Sequence, residues 1–153
     1  MKRTHQHLAA LVGLSFIQIS TPTFAEDWTL SAPRGCITEL GTTTESGGGL
    51  KASGGTAVVL CPITKEGGYN TINAVYARIN RALSNGPDPF CTLSTTSNYG
   101  SPTDMTWGFA SDGAGNKSIS LPLGDQYSYG YASVSCVLNV NDTFYGIRYL
   151  QDN

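Results

Sequence analysis

The chain has 153 residues, which suits a single domain; 13% of them are charged, 40% hydrophobic and 10% aromatic. This balance excludes a disordered polymer, because the chain has enough apolar residues to form a core. The formal net charge of −2 excludes a strongly basic nucleic-acid-binding protein.

The chain begins with the three regions of a secretory signal peptide. Two basic residues precede an apolar run from Leu8 to Ile19, and small residues follow it up to Ala25. The run is too short to span a bilayer. We therefore predict a signal peptide at 1–25 and a single domain at 26–153, secreted or periplasmic. The alternative is a buried N-terminal helix.

Cleavage after Ala25 would remove both histidines, His5 and His7, and leave seven basic and eleven acidic residues. The resulting net negative charge disfavours nucleic acid and anionic membranes as partners. Without histidine, the exported domain has no Ser-His-Asp triad, no Cys-His pair, no histidine-bound zinc and no imidazole base. We expect a non-catalytic protein with no cofactor and no metal.

The strands are predicted from alternating apolar and polar residues with turn residues between them. In chain order the eight predicted strands are Cys36–Leu40, Thr56–Cys61, Val75–Ile79, Phe90–Thr95, Met105–Phe109, Ile119–Leu123, Ala132–Val140 and Phe144–Leu150. The stretch 70–83 could instead form a short helix, but its β-forming residues favour a strand. Since no long helices separate the strands, we predict an all-β fold, an antiparallel β-sandwich of Ig-like or jelly-roll type.

A glycine-rich stretch, Gly41 to Gly55, separates the first two predicted strands. It resembles a phosphate-binding loop, but Gly55 stands where the lysine of such a loop should be. We therefore expect a flexible connection between the two strands rather than a nucleotide site.

The four cysteines, Cys36, Cys61, Cys91 and Cys136, all lie in the predicted exported domain. An even number in an oxidising compartment predicts two disulfides, for which three connectivities are possible. No Cys-x-x-Cys motif is present, which excludes a redox motif or a zinc ribbon. We favour Cys36–Cys61 and Cys91–Cys136, because the second pair occupies the apolar phase of two strands.

Aromatic residues give the candidate binding site. Tyr127, Tyr129 and Tyr131 alternate along the chain, so in an extended segment they would project from one face about 6.8 Å apart. At that spacing, rings can stack on successive sugar units or form an interface hot spot. The alternative is ordinary cross-strand packing. Tyr145 and Tyr149, which share one phase of the last strand, could extend the patch.

Trp107 is expected in the core, since Met105 and Phe109 flank it on the same phase of their strand.

A glycosidase needs only two carboxylates and no histidine. Glu39, Glu45, Asp104 and Asp125 are candidates, but each lies in a polar or turn context, and nothing singles out a pair.

Several short motifs around the cysteines form a recognisable series: Val-Val-Leu-Cys61-Pro62-Ile63, Phe90-Cys91-Thr92-Leu93, Ser118-Ile-Ser-Leu121, Tyr-Ala-Ser-Val-Ser-Cys136 and Ile147-Arg-Tyr149. In this series the chain resembles a group of small exported bacterial proteins with four cysteines. The resemblance spans residues 36–150 and implies a β-sandwich and two disulfides, but no activity. The chain departs from the group after Cys136, where Val137-Leu138-Asn139 lacks a proline common in such sequences.

The sequence thus predicts an exported binding or accessory protein that recognises carbohydrate or a surface protein through a face bearing tyrosines. The first alternative is a structural protein of the envelope that assembles through an edge strand or the tyrosine face. A carboxylate-dependent glycosidase is the third hypothesis.

Overall fold

The computed structural model describes residues 27–31, 33–65, 71–83, 85–100, 103–111, 113–127 and 130–151. The predicted signal peptide lies outside these residues. The described residues form a short 3₁₀ turn, Pro33–Gly35, and eleven strands: β1 (Asp27–Ser31), β2 (Ile37–Leu40), β3 (Thr43–Ser46), β4 (Gly49–Ala52), β5 (Ala57–Ile63), β6 (Ile72–Arg81), β7 (Phe90–Thr96), β8 (Thr103–Phe109), β9 (Gly115–Leu121), β10 (Tyr131–Leu138) and β11 (Thr143–Gln151). None of the helical structure in these ranges is long and apolar enough to cross a membrane.

The strands form two antiparallel sheets. The first sheet has the order β3-β4-β11-β6-β9, with β1 also paired to β11, and the second has the order β2-β5-β10-β7-β8. This confirms the predicted all-β antiparallel sandwich. The stretch 70–83 contains the ten-residue strand β6, as favoured over the helix.

The topology is that of a jelly roll. From β4 to β11 the strands pair from the outside inwards: β4 with β11, β5 with β10, β6 with β9 and β7 with β8. The chain therefore behaves as one long hairpin that rolls up into two sheets of four strands, to which β1, β2 and β3 are added. Of the two predicted types of sandwich, the structure selects this one.

The core lies between the sheets and follows the predicted alternation. Along β5 and β10, every second residue is buried. The largest fully buried apolar side chains come from both sheets and include Phe144, Ile72, Ile79, Leu93, Ile119 and Leu138. Each contributes about 1.5–3 kcal/mol by leaving water.

Both favoured disulfides are present, Cys36–Cys61 and Cys91–Cys136, with Cα–Cα distances of 4.3 and 4.0 Å. Each joins neighbouring strands of the second sheet rather than the two sheets. Cys91 and Cys136 are direct partners in the register of β7 and β10. The bonds therefore link β2 to β5 and β7 to β10 on the inner side of the second sheet.

Three strands were not predicted: β1, β3 and β4. The expectation of a flexible connection at Gly41 to Gly55 is wrong, because β3 and β4 form a hairpin there. Gly47 and Gly48, with φ of 57° and 81°, make its two-residue turn. A turn with two positive φ values matches the twist of the flanking strands and favours glycine. The glycines that indicated a flexible connection are therefore required by a tight turn.

Candidate functional site

The predicted tyrosine face is only partly described. Tyr131 begins β10 and is 71% exposed, whereas Tyr127 is half-buried and precedes the strand. Gly130 N donates to Tyr127 O at 2.9 Å, which closes a turn between the two tyrosines. They therefore do not share one extended strand at the expected spacing. Tyr129 lies outside the described residues, and a binding role for the three tyrosines stays a prediction.

The segment before that turn is held against both sheets by polar side chains. Asp104 Oδ2 accepts from Asp125 N at 2.7 Å, and Thr95 Oγ1 donates to Asp125 O at 2.6 Å. The Gln126 side chain forms two bonds to the backbone of Ile72: Oε1 accepts from N at 2.8 Å and Nε2 donates to O at 2.6 Å. The segment is thus anchored to β8, β7 and the start of β6.

The expectation that Trp107 lies in the core is wrong. Met105, Trp107 and Phe109 are 56%, 59% and 56% exposed. Their strand does alternate, but its inner side carries the polar residues Asp104 and Thr106, which bond to the segment after β9. The polar side chains of β8 therefore make their hydrogen bonds on the inner side of the sheet, and its apolar side chains face solvent.

These three residues belong to a surface that we call the uncharged face, the outer side of the second sheet. The register of the five strands defines it. It comprises Ile37, Leu40, Val58, Leu60, Pro62, Phe90, Thr92, Ser94, Thr96, Thr103, Met105, Trp107, Phe109, Tyr131, Ser133, Ser135 and Val137. None of these side chains is charged. Glu39 is the bulged residue of β2, without a partner in the register, and lies at the margin.

The composition of the uncharged face changes from its margins to its centre. Large exposed apolar residues occupy the edge strands β2 and β8, where Leu40 is 65% and Trp107 is 59% exposed. Hydroxyl residues occupy β7 and β10, where Ser94 pairs with Ser133 and Thr92 with Ser135, whereas β5 carries Val58, Leu60 and Pro62. The aromatic rings of β8 therefore lie on one side of a row of small hydroxyl groups, and the aliphatic residues of β5 and β2 lie on the other.

Phe90 and Phe109 strengthen one corner of this face. They are register partners on β7 and β8, and their ring centroids are 5.8 Å apart with an interplanar angle of 41°. Such tilted contacts stabilise aromatic pairs. Phe90 is half-buried and lies beside the exposed ring of Phe109 on the neighbouring strand.

Tyr145 and Tyr149 do not extend a common patch, contrary to expectation. A β-bulge between Phe144 and Gly146 shifts the register of β11 against β6. Tyr149 is 3% exposed and its hydroxyl donates to Thr64 O at 3.3 Å, whereas Tyr145 is half-buried on the outer side of the first sheet. The single extra residue at the bulge separates the two rings.

Two of the candidate glycosidase carboxylates, those of Asp104 and Glu45, make other contacts. Asp104 accepts from Met105 N and Asp125 N. Glu45 lies 3.8 Å from Arg34 in an exposed ion pair. Asp125 contributes its backbone N and O rather than its carboxylate to the contacts described above.

Comparisons with known proteins give little further information. No family model matches the chain, and no curated protein matches it. One similar solved structure is a Podospora anserina GH26-CBM35 β-(1,4)-mannanase, with a TM-score of 0.44 and 16% sequence identity. The similarity covers 84% of this chain and 27% of that chain, so this chain spans about a quarter of the mannanase's length.

Proposed function

We propose that the protein is an exported, non-catalytic binding protein that holds neutral polysaccharide on the uncharged face. The observation that carries the proposal is the absence of charge from the described side chains of that face, together with exposed aromatic rings beside hydroxyl groups. Rings stack on the C–H faces of sugars, and serine and threonine hydroxyls exchange hydrogen bonds with sugar hydroxyls. A neutral ligand leaves no charge unpaired on such a surface.

The arrangement favours carbohydrate over a protein partner. Protein interfaces usually place large apolar hot spots at the centre and polar residues at the rim. On the uncharged face, exposed side chains such as Trp107 and Leu40 lie on the edge strands, whereas Ser94 and Ser133 form a pair on the inner strands β7 and β10.

Assembly through an edge strand, the alternative function, has less support at β8. The Asp104 carboxylate accepts from Met105 N at 3.0 Å and so occupies a backbone donor of this edge strand. A charged residue that turns inwards on an edge strand is a common protection against strand addition. Export itself is supported by the predicted signal peptide and by two disulfides of the kind that persist in oxidising compartments.

The proposal is tested by retention on neutral polysaccharides, with a glycan array beside depletion by cellulose, mannan, xylan and chitin. The variant is W107A/F109A, and the control is Y99A, because Tyr99 is 90% exposed but lies in the turn after β7. We expect the wild type and Y99A to be retained by at least one neutral polysaccharide, and the double variant to bind it about tenfold or more weakly. Retention by none, or equal retention of all three proteins, would overturn the proposal.

A further inference from the structure

The outer side of the first sheet differs from the uncharged face in carrying positive charge; we call it the cationic face. Register places on it Lys51 of β4, Arg78 of β6 and Arg148 of β11. Among the described side chains that the register assigns to this side, the charged ones are these three, and all are basic. The whole chain has more acidic than basic residues, so the cationic face differs in charge from the average of the molecule.

Two arginines of the cationic face are close neighbours. Arg148 is the register partner of Tyr76, and Arg78 lies two residues further along β6 on the same side. Diagonal neighbours of this kind have Cα atoms about 7–8 Å apart. Two guanidinium groups on such positions can reach one anionic group or two adjacent ones.

The arginines line shallow depressions that run across the strands. One, of about 480 Å³, is lined by Tyr76, Arg78, Ser118 and Arg148. A second, of about 400 Å³, shares Arg78 and Ser118 and continues to Asn116, Lys117 and Tyr145. The two together offer guanidinium, hydroxyl and amide donors beside two aromatic rings.

We propose that the cationic face is a second binding surface, which binds an acidic polysaccharide through its carboxylate or sulfate groups. Arginine presents paired donors that match carboxylate and sulfate oxygens, and Tyr76 and Tyr145 supply ring faces for the sugars between them. Ser118 and Asn116 can bond sugar hydroxyls.

This inference does not depend on the neutral-polysaccharide proposal, because the two faces lie on opposite sides of the sandwich. Together they describe a protein that can join a neutral and an acidic polymer.

The test is affinity electrophoresis through gels that contain heparin or polygalacturonate, with dextran as the neutral comparison. The variant is R78A/R148A. The control R34A also replaces an arginine by alanine, but Arg34 is 84% exposed in the 3₁₀ turn outside this face. A further variant, R78K/R148K, keeps the charge but loses the paired donors. We expect at least one acidic polymer to retard the wild type, and to retard R34A and W107A/F109A equally. The affinity for that polymer should fall about tenfold for each arginine replaced by alanine. The lysine variant should bind less than the wild type.

Equal retardation of R34A and R78A/R148A would overturn the inference, as would no retardation by either acidic polymer. Binding to vesicles with phosphatidylserine, or to an acidic peptide, without binding to the acidic polysaccharides would also overturn it. Near-ultraviolet circular dichroism of each variant confirms that a loss of binding is not a loss of fold.

Discussion

Two buried charged residues hold one end of the sandwich together. Asp142 is 1% exposed; its Oδ1 accepts from Ala82 N at 2.8 Å and its Oδ2 accepts from Asn139 N at 2.9 Å. Arg81 is 4% exposed and pairs with Asp88 at 2.8 Å. The carboxylate of Asp142 thus connects the end of β6 to the turn between β10 and β11, and Arg81 ties the following loop to the same strand.

Replacement of Asp142 by asparagine tests this connection. Asparagine keeps the shape but offers one acceptor oxygen and an amide that faces a backbone donor, so one part-buried N–H loses its partner. We expect D142N to lower the free energy of unfolding in urea by about 1–3 kcal/mol. D125N is the control, because Asp125 is an exposed aspartate, and it should change stability by less than about 0.5 kcal/mol. Equal effects of the two variants would contradict the role given to Asp142.

Lys65 gives a prediction about pH. Its Nζ donates to Tyr127 O at 3.3 Å, and burial lowers the pKa of its ammonium group below 10.5. Between the lowered pKa and 10.5, the unfolded chain binds more protons than the folded protein, so this residue makes stability rise with pH in that window. We expect the difference in unfolding free energy between wild type and K65M to shift in favour of the wild type as the pH approaches 10.5. Urea unfolding curves at a series of alkaline pH values check this, and a constant difference would contradict it.

At the scale of the strands, a glycine lets the two sheets approach each other at one side. A Cβ at Gly108 of β8 would lie 2.5 Å from Ser120 O and 2.8 Å from Ile119 Cγ2, both on β9. The close contact closes the side of the sandwich where β8 ends the second sheet and β9 ends the first. The edge strand β8 of the second sheet is thereby brought against the edge strand β9 of the first.

We expect G108A to destabilise the protein by about 1–3 kcal/mol, because the backbone of β9 must move to admit the methyl group. G55A is the matched control: a Cβ there meets nothing within 4 Å, and the residue has no positive φ. Its effect should lie within about 0.5 kcal/mol. Thermal unfolding of both variants measures the difference, and the prediction fails if G108A is as stable as G55A.

The strands show how far alternation predicts structure. All eight predicted strands are present, because period-2 patterning is strong where one side of a strand is buried. The hairpin of β3 and β4 was missed because its residues are mostly polar and glycine, and its pairing depends on β11 rather than on its own pattern. In β8 the pattern showed correctly that Trp107 and Phe109 share a side, but not which side is buried, since that depends on the contacts of Asp104 with a distant segment.

For the whole molecule, the two opposite faces could not be predicted from the sequence. Each is assembled from several strands, and its character depends on which residues become partners across the register. Arg78 and Arg148 are seventy positions apart in the chain but diagonal neighbours in the first sheet. The tyrosine hypothesis placed aromatic recognition near Tyr131, which does lie on the uncharged face, while the larger aromatic group on β8 was assigned to the core.

Binding of neutral polysaccharide to the uncharged face is tested by a map of backbone amide chemical shifts. The protein is titrated with a neutral oligosaccharide cut from the polysaccharide that it retains. We expect the shifts to change on β7, β8 and β10, with the largest effects around Trp107, Phe109 and Ser94. Changes centred on the cationic face or on the loops around Arg81, or no change with any neutral oligosaccharide, would contradict it.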